Sequence, residues 1–130
     1  MKFCIVVLSS PQAPSSRRAL RFAEALLAAG QELVRLFFYQ DGVYNASDLG
    51  LWPQDELNLG RAWRDFISAH RLDAVVCVAA ANRRGLADAD EARRQGLPGA
   101  NVSPPWQLSG LGQLHDGIQE ADRLVCFGGP

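Results

Sequence analysis

Phe3-Cys4-Ile5-Val6-Val7-Leu8, closed at once by Ser9-Ser10-Pro11, is the stretch whose reading decides the fold. An unbroken apolar run rich in β-branched residues and ended by turn formers predicts a strand buried on both faces, followed by a loop. What comes next is helical in period: Ala19, Phe22, Ala23, Leu26 and Leu27 share one face, Ser16 is the predicted N-cap, and Gly30 supplies the stop. Leu33–Tyr39 is short and apolar again, a second buried strand. Strand, helix and strand joined by tight connections predict a parallel sheet covered by helices on both sides.

The pattern continues outward. Residues 40–53 are polar, with Asp41, Gly42, Asn45 and Gly50, and exceed an ordinary connection in length, which marks a candidate functional loop. Leu59, Trp63, Phe66, Ile67 and His70 lie on one helical stripe, and Ala74–Val78 reads as the third strand. Asp88 with Glu91 resembles an acidic capping box that opens a short helix ending at Gln95 and Gly96. After a proline-rich loop over residues 97–106 come a short strand near Gln107 and Leu108, a helix from about Leu111 to Ala121, and a last strand Leu124–Phe127. The expected architecture is a single-domain α/β three-layer sandwich over residues 1–130, with a mostly parallel sheet of about five strands flanked by helices.

Composition narrows the function. Hydrophobic residues at 48% and charged residues at 21% are ordinary for a globular domain and exclude a disordered chain. No apolar run approaches the roughly 20 residues of a membrane span, and the stretch after Met1 and Lys2 is too short for a signal-peptide core. A cytoplasmic protein with no membrane contact is expected. Net charge is -1, with the basic residues scattered among acids, so no electrostatic track for nucleic acid is visible. Neither the glycine pattern of a dinucleotide fold nor that of a phosphate-binding loop occurs. A phosphate cradle from Ser9, Ser10, Ser15 and Ser16 is disfavoured because Pro11 and Pro14 remove backbone donors.

The three cysteines, Cys4, Cys77 and Cys126, contain no Cys-x-x-Cys unit, so neither a zinc site nor dithiol redox chemistry is expected, and no metal or cofactor is implied. Reduced thiols in a reducing compartment fit best. Cys4 and Cys126 fall inside apolar runs and are predicted to pack. Cys77 lies at the C-terminal end of the third strand, and in parallel α/β sheets chemistry gathers outside the carboxyl ends of the strands. Its downstream neighbours Arg83, Arg84 and Gly85 form either a solvated turn or an electropositive collar able to favour a thiolate. Two roles are open for Cys77, a nucleophile or a buried filler. A lone thiol without a resolving partner suits single-sulfur carriage better than disulfide chemistry. His115 and Asp116 could complete a Cys-His hydrolase but read more simply as a solvent-facing pair, and His70 as a positive charge at a helix end.

Four segments together resemble the DsrE-like (DsrE/TusD) sulfurtransferase family: FFYQDGVYNA from Phe37 to Ala46, CVAAANRRG from Cys77 to Gly85, LSGLG from Leu108 to Gly112, and ADRLVCF from Ala121 to Phe127. The resemblance implies a sulfur relay for 2-thiolation of the wobble uridine of tRNA, with Cys77 carrying a persulfide and Arg83 and Arg84 in support. It implies TusB-like and TusC-like partner subunits in a heterohexamer, an upstream persulfide carrier and a TusE-like downstream acceptor. Tyr39, Tyr44 and Asn45 would then form a site wall or a subunit contact. The near-neutral charge agrees with a protein that passes sulfur to another protein without gripping tRNA itself. Two other roles stand beside this one: a DsrE-type sulfur carrier in dissimilatory sulfur oxidation, and a structural subunit whose Cys77 is inert.

Overall fold

The computed structural model describes residues 1–129. In chain order it forms β1 (Lys2–Val7), α1 (Pro14–Ala28), β2 (Glu32–Phe38), a 3-10 helix (Gln40–Ala46) and α2 (Leu59–His70). There follow β3 (Ala74–Cys77), α3 (Val78–Arg83), α4 (Ala89–Gln95), β4 (Gln107–Ser109), α5 (Leu111–Glu120) and β5 (Arg123–Phe127). The sheet has five strands in the order β4-β3-β2-β1-β5, and every neighbouring pair is parallel, so the expected α/β architecture with its flanking helices is observed.

Register assigns each side chain to a face. Val7 pairs with Phe38 and Phe38 with Val76, which places all three on the side of α1 and α2. There Phe38 is the centre of the core, with Trp63 edge-on at 5.1 Å and Trp106 edge-on at 4.9 Å. Farther along, Phe22 of α1 meets Phe3 and Phe127 from the two strands beneath it. Alternation sends Cys4, Val6, Phe37, Val75 and Cys77 to the opposite side. That side carries α5, which lies across β1 and β2. Gly117 makes the approach possible: a Cβ there would meet Cys4 Sγ and Arg35 Cβ, each at 3.2 Å. Arg35 is tied at the same place, paired with Asp73 and donating to the Gln113 carbonyl at 2.7 Å.

Local expectations hold where a cap or stop decides the matter. Asp88 accepts from the Glu91 N–H, Gly96 closes α4 in the left-handed region, and Gly30 takes φ 78° just after α1. Three local readings are corrected. Ser16 does not cap α1, because Pro14 can start a helix without an N–H to satisfy; Ala13 is the N-cap, and Ser16 is buried, donating to Asn45 Oδ1. Val78 leaves the third strand and opens α3, since Ala79, Ala80 and Ala81 favour helix strongly enough to end the strand at Cys77. Cys126 is exposed, because β5 is an edge strand and α5 sits over its neighbours, leaving Leu124 and Cys126 uncovered.

The polar segment after β2 folds as the 3-10 helix and seals against β1. Tyr39 N–H donates to the Val7 carbonyl at 3.0 Å. Gly42 lies so close that a Cβ would stand 2.0 Å from the same oxygen. Gly42→Ala is therefore expected to destabilise the fold by about 3 kcal/mol or more, through backbone displacement. Gly112→Ala, at an open helical position, should be neutral or stabilising by up to about 1 kcal/mol. Urea unfolding of the two variants checks the contrast; equal midpoints would refute it.

A second expectation concerns Cys4. Burial pushes its thiol up to about 11 from the usual 9.0, the nearby Arg35 charge opposing and Cys126 adding slightly. The unfolded thiol ionises first, so this contribution to stability is complete below pH 9 and is lost as pH rises from 9 to 11. Cys4→Ala should flatten the fall in unfolding free energy over that window, measured by urea titration at each pH.

Candidate functional site

Cys77 occupies the last position of β3 and the N-cap of α3, with φ -60° and ψ 116°, and its sulfur makes no capping bond to the helix. It is 3% exposed and belongs to the hydrophobic core cluster. Val75, Val76 and Cys77 form a strand because they fill both faces of a central position in the sheet. The chain then turns because three alanines follow.

The two flanking strands set the immediate surroundings. On one side Cys77 is the register partner of Ser109, the last residue of β4. On the other, the ladder with β2 ends at the pair Phe38 with Val76, and Tyr39 follows as the first residue beyond β2. Tyr39 keeps extended geometry, φ -136° and ψ 163°, and its ring meets Phe37 of the same face at 6.2 Å. Cys77 and Ser109 thus share one face of the sheet at its carboxyl edge. Ser109 carried no role in the sequence reading. Its signal was present in the LSGLG segment, but only the strand register shows that this serine stands against the cysteine.

The arginines lie at the far end of α3 from the sulfur. Arg84 Nε donates to Asp41 Oδ1 at 2.9 Å and its Nη1 to the Ala80 carbonyl at 3.1 Å. Arg83 is exposed and forms no hydrogen bond or ion pair among the described residues. Arg84 therefore ties α3 to the 3-10 helix, and neither arginine is hydrogen bonded to Cys77. Asn45 is 1% exposed: its side chain accepts from Ser16 and donates to the carbonyls of Ser9 and Gly42 at 3.2 and 2.9 Å. It fastens the 3-10 helix to the loop after β1. Tyr44 is exposed on the same helix. His115 and Asp116 face solvent on α5, and His70 lies against Phe66 at the end of α2.

Cavities lie on either side of α3. One of about 390 Å³ is lined by Ser9, Ser10, Gln40, Asp41 and Arg84. Another of about 860 Å³, largely apolar, is lined by residues including Asn82, Leu86, Glu91, Leu97 and Asn101. Gln40 has φ 52°, a left-handed conformation uncommon for a side-chain-bearing residue, where β2 gives way to the 3-10 helix. Among the described residues no cluster of His, Cys, Asp and Glu is arranged to hold a metal ion, and no helix is long and apolar enough to cross a membrane.

Comparison with known proteins places this geometry in a family. The family model for DsrE/DsrF-like proteins matches residues 1–127. The chain is 60% identical to the Sulfurtransferase TusD homolog of Pseudomonas aeruginosa over 129 residues, covering 99% of this chain and 98% of that one. It is 45% identical to a DsrE of Allochromatium vinosum, covering 98% and 99%, and 50% identical to Sulfurtransferase TusD of Cronobacter sakazakii, covering 84% and 85%. The crystal structure of the ychN protein from E. coli shares the fold, with a TM-score of 0.71 at 19% identity over 98% of this chain and all of that one. A sheet whose carboxyl edge carries a single thiol, matched along nearly its whole length by these relatives, belongs to the DsrE/DsrF-like family, and its activity is that of a sulfurtransferase.

Proposed function

We propose that this sulfurtransferase accepts sulfur as a persulfide on Cys77 and relays it to a downstream carrier for 2-thiolation of the wobble uridine in tRNA. The observation that carries the reading is position: of three cysteines, Cys77 alone ends a central strand at the carboxyl edge. Cys4 is sealed under α5, and Cys126 sits on an edge strand away from the sulfur rung. Relatives named sulfurtransferase TusD, at 60% and 50% identity, support the sulfur-transfer part of this reading.

The step is an exchange without net oxidation. The Cys77 thiolate attacks the outer sulfur of a donor persulfide, the donor sulfur–sulfur bond breaks, and the donor leaves as a thiolate. Cys77 then holds the outer sulfur, and an acceptor thiolate takes it by the same attack, returning the Cys77 thiolate. With Cys77 at 3% exposure, partners must deliver their thiols to the carboxyl edge. TusB-like and TusC-like subunits, an upstream persulfide carrier and a TusE-like acceptor fill those places in this reading. Net charge -1 suits protein partners better than a direct grip on tRNA. Arg83 and Arg84 support the site through α3, Arg84 by its pairing with Asp41; Tyr44, exposed beside it, suits a subunit contact.

Incubation with a persulfide donor followed by intact-protein and peptide mass spectrometry should show one added sulfur atom on the Cys77 peptide. Cys77→Ser should lose it entirely, while Cys126→Ser keeps it. Deletion of the gene should remove 2-thiouridine from tRNA; retention of the modified base with Cys77 still loaded points to the sulfur-oxidation role instead, which the DsrE match at 45% identity also fits. A packing role is favoured by the burial of Cys77 and predicts no adduct and slow alkylation of the isolated chain at neutral pH.

A further inference from the structure

Ser109 faces Cys77 directly across the β3–β4 ladder, the two being register partners at the carboxyl ends of their strands. Adjacent strands lie about 4.8 Å apart and paired side chains leave the sheet on the same face, so the register sets the Ser109 and Cys77 side chains side by side on one rung. Ser109 is half-buried, and its side chain has no hydrogen-bond partner among the described residues. In the loop after β1 and the start of α1, by contrast, Ser9 is bonded to Ser15 at 2.7 Å and Ser16 to Asn45 at 3.1 Å. The side chain that the β3–β4 register sets beside this hydroxyl is a thiol, a group that becomes anionic in sulfur exchange.

We propose that the Ser109 hydroxyl donates a hydrogen bond to the Cys77 sulfur whenever that sulfur is anionic, and thereby orients and activates it for sulfur transfer. The inference rests on the persulfide reading of Cys77 and extends it to a second residue. A neutral thiol is a weak acceptor. A thiolate is a charged acceptor, and such bonds are roughly twice as strong as neutral ones. The bond matters most at discharge: as the acceptor thiolate takes the outer sulfur, the bond between the two sulfurs of the persulfide breaks and its electron pair stays on Cys77. A donor already in place stabilises that leaving thiolate.

The isosteric pair Ser109→Thr and Ser109→Val tests this, because both side chains suit a strand and only threonine keeps the hydroxyl. With the chain first loaded by a persulfide donor, discharge to a small thiol is followed by mass spectrometry. Ser109→Val is expected to slow discharge roughly tenfold or more, the loss of one hydrogen bond to a charged group, and Ser109→Thr to retain most of the rate. The pH profile of Cys77 alkylation should move to higher pH in Ser109→Val and not in Ser109→Thr, at equal urea midpoints. Two variants that match wild type in both measurements overturn the inference while leaving the persulfide reading intact. A wild-type chain that never gains sulfur on Cys77 overturns that reading; the alkylation profile then still decides whether Ser109 touches the thiolate.

Discussion

The parallel register is the constraint on which the rest depends. Because side chains alternate along a strand, the pairings Val7 with Phe38, Phe38 with Val76, and Cys77 with Ser109 fix together which residues form the core and which form the sulfur rung. A slip of one residue would lift Phe38 from between Trp63 and Trp106 and turn Cys77 toward α2. The packing of two indoles on one phenylalanine is thus also what holds the thiol on its face. Stability and chemistry are joined through the ladder.

The same ladder explains what the sequence made legible. Long apolar runs bounded by turn formers, such as Phe3–Leu8, are visible to simple pattern reading because both faces are buried and nothing alternates. Caps with a donor-acceptor logic of their own, Asp88 with Glu91 and the left-handed Gly96, are equally visible because they are local. Val78 was misread because its β-branched side chain continues the strand pattern, and only the alanines after it decide for helix. Cys126 was misread because burial is a property of neighbours: Leu124-Val125-Cys126-Phe127 looks like Phe3–Val7 in composition, yet one is an edge strand and the other is flanked on both sides. Edge and centre differ by topology, which no window of sequence contains.

The candidate site divides along the same line. The cysteine is legible, since a thiol at the end of an apolar strand in an α/β chain marks the carboxyl edge. The arginines are legible as charges but not as geometry: α3 carries them one helix length away, where Arg84 meets Asp41 instead of the sulfur. Asn45 illustrates the opposite outcome. A polar residue in a loop invites a functional reading, yet its amide is consumed by three bonds that pin the 3-10 helix to the loop after β1. Buried polar groups satisfied this completely build the scaffold.

Three thiols in one small fold therefore meet three physical fates. Cys4 lies under Gly117 in a setting that holds its proton up to about 11, which leaves it too little thiolate to act at neutral pH. Cys126 is open to solvent but sits on β5, where only β1 is beside it and no second strand supplies a flanking side chain. Cys77 ends a strand that lies between β2 and β4, with Ser109 of β4 as its register partner. Any thiol that exchanges sulfur with another needs neighbours that orient it as well as a route for the partner thiol. Only a central strand provides the neighbours, and only its carboxyl end provides the route.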